Sequence, residues 1–246
     1  MARGGAAYAA KGRGGWFTQW RRASPWGTLG QALDAAKGTR IWRMKFADNE
    51  MYGGIVSSAA YSDNAVYAAG KNGIIYSFSA KSGSRNWSRK TSSAIYASPA
   101  VKDGILYIAS YDKSLYAFDA KTGNFVWRKG LDGDFAYASP VVTGDNIYLG
   151  LKSGRIKVFD RVSGLEKGDF KLPDAVNSTP VVTGGGMIFV GCEDGKLYAL
   201  DSKTGAITWQ FATKGAVHAS PAVLEDAVYI GSEDGSVYAF VPGGGN

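Results

Sequence analysis

The chain of 246 residues holds a single histidine, His218, and a single cysteine, Cys192, which limits the chemistry it can carry. A lone imidazole cannot build a His-rich metal site, and no paired Cys/His spacing is present, so no metal centre is expected. One thiol also excludes an intrachain disulfide. No Ser-His-acid set is legible in the order or spacing of the residues. The pairs Glu193-Asp194 and Glu233-Asp234 precede Gly195 and Gly235, where carboxylates serve turns. Calcium at either pair would need more oxygen ligands than the pair supplies. What remains is binding chemistry. Two residues before a recurring Ser or Thr (Ser58, Ser98, Ser139, Thr179, Ser220) stand Val56, Tyr96, Tyr137, Asn177 and His218. Tyr96, Tyr137, Asn177 and His218 bring phenol, amide and imidazole groups to one repeated position, which suits a ligand or partner rather than a reaction. No catalytic residue is assigned.

The elements that must place these groups follow from the repeat. The anchors recur every 40 or 41 residues, and periods near 40 mark closed or stacked arrays. Each unit divides into four short runs of strand character separated by turn pairs such as Asp103-Gly104, Asn72-Gly73, Ser153-Gly154, Asp194-Gly195 and Asp234-Gly235. In such pairs glycine accepts positive φ without steric cost, the mark of a tight hairpin. Thirty-four glycines and abundant Tyr, Trp and Phe agree with many short strands. The reading is an all-β protein, a β-propeller of four-stranded antiparallel blades. The first strand of each blade lines a central channel, so the variable residues before the anchors surround its mouth. The Ser and Thr anchors themselves are read as ties between neighbouring blades.

The third and fourth runs carry a further signature. Ala117-Phe118-Asp119-Ala120-Lys121-Thr122-Gly123 is followed by Trp127, and Ala199, Asp201, Thr204, Gly205 and Trp209 repeat the spacing. Ala32, Asp34, Gly38 and Trp42 match most of it, as do Gly83 and Trp87, whereas the fourth unit has Gly168 in place of the Trp. Asp119 and Asp201 can accept backbone N–H groups in the turn. Trp42, Trp87, Trp127 and Trp209 are expected to cover apolar area between blades, each needing a partner for its N–H. This pattern resembles the tryptophan-docking motif of the pyrroloquinoline-quinone (PQQ)-type propeller repeats, over residues 28–241. The resemblance implies two functions. One is a quinone-dependent dehydrogenase with PQQ and calcium. The other is a non-enzymatic scaffold, similar to the periplasmic propeller that assists outer-membrane protein assembly. Without adjacent cysteines or a long loop between units, the scaffold is preferred, with other proteins as partners, no cofactor and an extracytoplasmic location implied by the family alone.

Charge divides the chain. Residues 1–46 hold nine basic side chains against Asp34 alone, so the net charge of +7 belongs to the beginning of the chain. Residues 1–27 are read as a basic segment and 28–246 as the propeller. The run Trp16-Phe17-Thr18-Gln19-Trp20-Arg21-Arg22 is expected to pack on the ring; binding nucleic acid or an anionic surface is the alternative. No transmembrane stretch and no secretory apolar core is visible. Counting first and second strands gives five blades, with residues 40–46 as a spare fourth strand that pairs with the C-terminal blade and closes the ring. A larger ring, or one completed by a second copy, is the alternative. Residues 29–33 have no place in that count.

Overall fold

A computed structural model describes residues 8–10, 16–24, 27–34, 36–45, 54–225 and 227–241. The chain forms two compact units, Met1–Leu131 and Asp132–Asn246. All its described regular structure is antiparallel sheet.

In the first unit, β1 (Tyr8–Ala10), β2 (Trp16–Ser24), β3 (Gly27–Asp34) and β4 (Arg40–Lys45) form one sheet in chain order. The next is β5 (Ala60–Ser62), β6 (Ala65–Ala69), β7 (Ile74–Ser79) and β8 (Arg85–Lys90). The third is β9 (Ala100–Lys102), β10 (Ile105–Ser110), β11 (Ser114–Asp119) and β12 (Phe125–Gly130). The second unit holds β13 (Val141–Thr143), β14 (Asn146–Gly150), β15 (Arg155–Asp160) and β16 (Glu166–Lys171). It continues with β17 (Val181–Val182), β18 (Met187–Gly191), β19 (Lys196–Asp201) and β20 (Ile207–Ala212), then β21 (Ala222–Leu224), β22 (Ala227–Gly231) and β23 (Val237–Phe240). These are propeller blades, each an up-and-down meander.

Two sequence expectations are corrected here. The described residues form six sheets, not five, and the strand taken as spare is β4, which pairs with β3 in the register Leu29↔Lys45 to Leu33↔Arg40. Its place is therefore the fourth strand of its own blade, and not that of the C-terminal blade. The unassigned run 29–33 is the middle of β3, and the Trp16–Arg22 run is β2. The first sheet was missed because it lacks the Ser/Thr anchor by which the others were counted.

Strand chemistry explains the layering. Second and third strands are apolar on both faces, and β6 and β10 are buried almost throughout. Alternation sends Val66 and Ala68 to one side and Tyr67 and Ala69 to the other, where they meet Leu106, Ile108, Tyr116 and Phe118 of the next sheet. Tyr148, Ile156 and Val158 meet Ile188, Val190, Tyr198 and Leu200 in the same way. The fourth strands are the wet ones: β12, β16 and β20 are largely exposed. A bulge recurs at one place between third and fourth strands, at Ala32/Leu33, Ser77/Phe78, Ala117/Phe118, Val158/Phe159 and Ala199/Leu200. It lets the Asp-x-x-Thr-Gly turn reverse the chain without losing the pairing.

Candidate functional site

The anchors tie one sheet to the next. Ser58 N donates to Ser98 Oγ (2.9 Å), Ser139 N to Thr179 Oγ1 (3.0 Å) and Thr179 N to Ser220 Oγ (3.0 Å). Each hydroxyl accepts from the anchor amide one blade earlier, a bond that contributes on the order of 1 kcal/mol.

Beside the anchors, a second backbone bond recurs. Lys71 N donates to Gly54 O, Tyr111 N to Ala94 O, Lys152 N to Phe135 O, Glu193 N to Ala175 O and Glu233 N to Ala216 O, all at 2.9–3.2 Å. The five positions are thus equivalent in backbone and unlike in side chain: ammonium, phenol, ammonium, carboxylate, carboxylate. Four of them, Lys71, Tyr111, Glu193 and Glu233, meet residues singled out before the anchors, and Lys152 meets Phe135. In the first unit, Tyr96 lies 4.8 Å from the Tyr111 ring, with Lys71 Nζ 5.3 Å above it, within cation–π range. Val56 is exposed.

In the second unit Tyr137 is 41% exposed and meets Phe135 edge-on at 6.0 Å, and Lys152 Nζ lies 5.4 Å over Phe135. Asn177 Nδ2 donates to Glu193 Oε1. His218 presents Nδ1 to Glu193 Oε1 at 3.9 Å and Nε2 to Glu233 Oε1 at 3.5 Å. Asn177 and His218 therefore share one carboxylate.

The acidic pairs divide their labour. Asp194 accepts from Tyr198 OH (2.6 Å) and Asp234 from Tyr238 OH (2.7 Å), while Lys196 N and Ser236 N close the turns on the same carboxylates. The Tyr238 hydroxyl holds the Asp234 carboxyl well below the usual carboxylate range. Burial pushes the Tyr116 phenol up to about 12, and its bond to Asp112 adds to the effect. Glu193 and Glu233 stand in the turns, as read from sequence, and their side chains face His218. Lys71, Lys152, Glu193 and Glu233 each stand two residues before a hairpin glycine (Gly73, Gly154, Gly195, Gly235), and Tyr111 two before Lys113, which takes positive φ in the same place; that offset is the signal by which the sequence could have marked them.

Cys192 sits at the end of its strand. Its amide donates to Lys196 O and its carbonyl accepts from Gly195 N, which makes it equivalent to Leu151, Ser232 and Ser110 of other blades. Its thiol is buried, 3.3 Å from Asp174 O, and burial pushes it up to about 11, so it stays protonated near neutrality.

Trp42, Trp87 and Trp209 act between sheets. Trp42 Nε1 donates to Ala80 O (2.7 Å) and Trp87 Nε1 to Ala120 O (3.0 Å). Each indole lies on the turn glycine of the next blade: a Cβ at Gly83 would stand 2.8 Å from Trp42, and one at Gly123 2.6 Å from Trp87. Trp127 packs 6.0 Å from Tyr107, and Trp209 lies 5.9 Å from Phe189 and 5.5 Å from Phe240. Asp119 Oδ1 accepts from Thr122 N and Oγ1 at 2.7 Å, Asp201 Oδ1 from Thr204 N and Oγ1 at 2.8 Å. The Thr122 hydroxyl and the Thr204 amide, respectively, lead in lowering these carboxyls.

Where the fourth unit lacks its Trp, Phe170 takes over. Its ring lies on Gly205, where any Cβ would overlap it. Phe170 stands two residues beyond Gly168 and so on the same face of β16, a substitution the motif spacing could not reveal.

Among the described residues no three His, Cys, Asp or Glu side chains are grouped to hold a metal ion, and no helix is long and apolar enough to cross a membrane. The side chains of β2, with its Trp16, Trp20, Arg21 and Arg22, lie outside the described residues.

The family model described as outer membrane protein assembly factor BamB matches residues 27–175 and 153–243. Among solved structures, the computationally designed Ika8 protein is similar at a TM-score of 0.78 with 19% identity, over 96% of this chain and 70% of that one. BamB from Moraxella catarrhalis is similar at 0.65 with 22% identity, over 93% of this chain and 82% of its own. No curated protein matches.

Proposed function

This chain belongs to the outer membrane protein assembly factor BamB family, and we propose that it is a non-catalytic scaffold that binds other polypeptides through the loops that carry the residues before the Ser/Thr anchors. Tyr96, Tyr137, Asn177 and His218 would make the contacts, with Lys71, Tyr111, Lys152, Glu193 and Glu233 beside them. The observation that carries this reading is the set of five equivalent positions held by the same backbone bond. Where the fold demands the backbone and nothing of the side chain, a change from ammonium to phenol to carboxylate is free to serve recognition. The reaction chemistry needed for the alternative is poorly supplied: the one thiol is buried and protonated, and the one imidazole is engaged with two glutamates. The proposal accordingly includes neither PQQ nor calcium, and it places the protein outside the cytoplasm, as the family name suggests.

The test compares partner recovery by the wild type and by a variant carrying Tyr96→Ala, Tyr137→Ala and His218→Ala, with circular dichroism melts as the folding control. Recovery should fall at least tenfold while the melt is kept. Equal recovery by both would move the contact surface away from these loops.

A further inference from the structure

Five sheets hold a fourth strand and a turn leading into it at equivalent places, yet the charge on these segments differs between the two units. In the first unit they are residues 34–45, 79–90 and 119–130, and they carry eleven basic side chains against two acidic ones. In the second unit, residues 160–171 and 201–212 carry four of each. The fold does not ask for this difference, because the same pairing and the same bulge recur in both units.

The cations of the first unit also lack counter-ions. Its two carboxylates are taken up by their own turns: Asp34 Oδ1 accepts from Ala36 N and Lys37 N, and Asp119 Oδ1 from Thr122 N and Oγ1. Arg89 donates to the carbonyls of Gly123 and Thr122, and Arg128 to Ser114 Oγ with its guanidinium 5.4 Å over Tyr116, so both rest on neutral groups. Arg40, Arg43, Arg85 and Lys90 stand exposed, and no carboxylate among the described residues pairs with them. In the second unit Lys167 pairs with Asp160 at 2.8 Å and Arg155 with Asp169.

Apolar side chains stand among these charges: Ile41, Phe125 and Val126 are 38%, 62% and 43% exposed. That mixture selects the partner. Single-stranded nucleic acid needs open ring faces on which successive bases stack, whereas Trp42 and Trp87 are buried on turn glycines. A membrane surface takes unpaired Arg and Lys at its anionic headgroups and apolar side chains just below them.

We propose that the fourth strands of the first unit dock on an anionic lipid surface. Their unpaired Arg and Lys contact the headgroups, and Ile41, Phe125 and Val126 enter the boundary beneath. No residue of this surface is among those assigned to polypeptide recognition, so either reading can fail without the other.

Titration of the full chain with vesicles of phosphatidylcholine containing about one-third phosphatidylglycerol tests it, with pure phosphatidylcholine as the reference. Binding is expected to the anionic vesicles alone, and it should weaken as salt screens the exposed charges. A variant carrying Arg40→Gln, Arg43→Gln, Arg85→Gln and Lys90→Gln should lose roughly a hundredfold or more in affinity, since each cation near such a surface is worth about fivefold. Its circular dichroism melt should be kept. Phe125→Ser should weaken binding about tenfold without changing the salt dependence. Equal binding to both kinds of vesicle, or to neither, would overturn the proposal. Full binding by the fourfold variant would also overturn it and assign the contact to the basic residues of 1–27. Tighter binding to a polyuridylate strand than to the vesicles at equal salt would overturn it in favour of nucleic acid.

Discussion

Two neighbouring blades of the second unit, β13–β16 and β17–β20, share register and bulge yet are stabilised by different chemistry. In the second, Tyr198 donates its hydroxyl to Asp194 and Trp209 supplies the ring. In the first, Lys157 stands where Tyr198 does, Ser153 where Asp194 does, and Gly168 where Trp209 does. The Lys157 ammonium is buried. It pairs with Glu166 at 2.9 Å, with Asp132, and with Asp169 at 3.9 Å. Burial opposes its charge, but the hydrogen bonds to Asp132 and Glu166 outweigh that and hold its pKa above the ordinary lysine value. The backbone is thus specified by apolar alternation and turn glycines, while the polar pairs and rings are exchangeable in sets.

The comparison can be broken most severely at Lys157. Lys157→Ala should cost about 3 kcal/mol, because its carboxylates lose their shared partner, and equilibrium urea unfolding reads it. Lys157→Tyr alone should be nearly as costly. Adding Ser153→Asp, which restores the pair found in the neighbouring blade, should recover much of the loss; a double variant no better than the single would show that the two blades are not interchangeable. Phe170→Ala should cost about 2 kcal/mol for a partly buried ring, and Gly205→Ala should unfold more readily for two reasons, since the residue has φ +72° and its Cβ would overlap that ring. Tyr198→Phe removes one hydrogen bond to a charged group and should cost about 1.5 kcal/mol in the same assay.

The smallest effect lies at low pH. Asp160 and Asp201 both have carboxyls held below their ordinary values. At Asp160 the Lys167 ammonium leads; at Asp201 the Thr204 amide does. A depressed carboxyl contributes stability above its unfolded pKa, and that contribution is lost as pH falls through the folded value. Melting temperature followed from pH 5 downward should therefore fall less steeply in Asp160→Asn and Asp201→Asn than in the wild type.

Much of this was legible in the sequence. The repeat, its four runs and the docking Trp residues follow from spacing, because each of them recurs. The first blade was not, since Trp16–Arg22 lacks the Ser anchor and reads as a basic segment. Phe170 was hidden because a ring can arrive from two residues further along a strand and still land on the same glycine. Lys157 falls at the repeat spacing of Tyr198, but its role was hidden because the carboxylates that surround it, Asp132, Glu166 and Asp169, come from a different strand and loop. The facing of Glu193 and Glu233 toward His218 depends on which side of a turn a side chain leaves, which composition does not encode.

The anchor bonds have a consequence for how such a chain grows. The Thr179 repeat carries both halves of the contact: a hydroxyl for the Ser139 amide before it and an amide for the Ser220 hydroxyl after it. A tandem duplication of one segment of about 41 residues therefore arrives with its joints already made, and a deletion leaves the remaining neighbours compatible. Length in this lineage can change by whole modules without any new side chain being selected at the seams, which leaves mutation free to work on the loops.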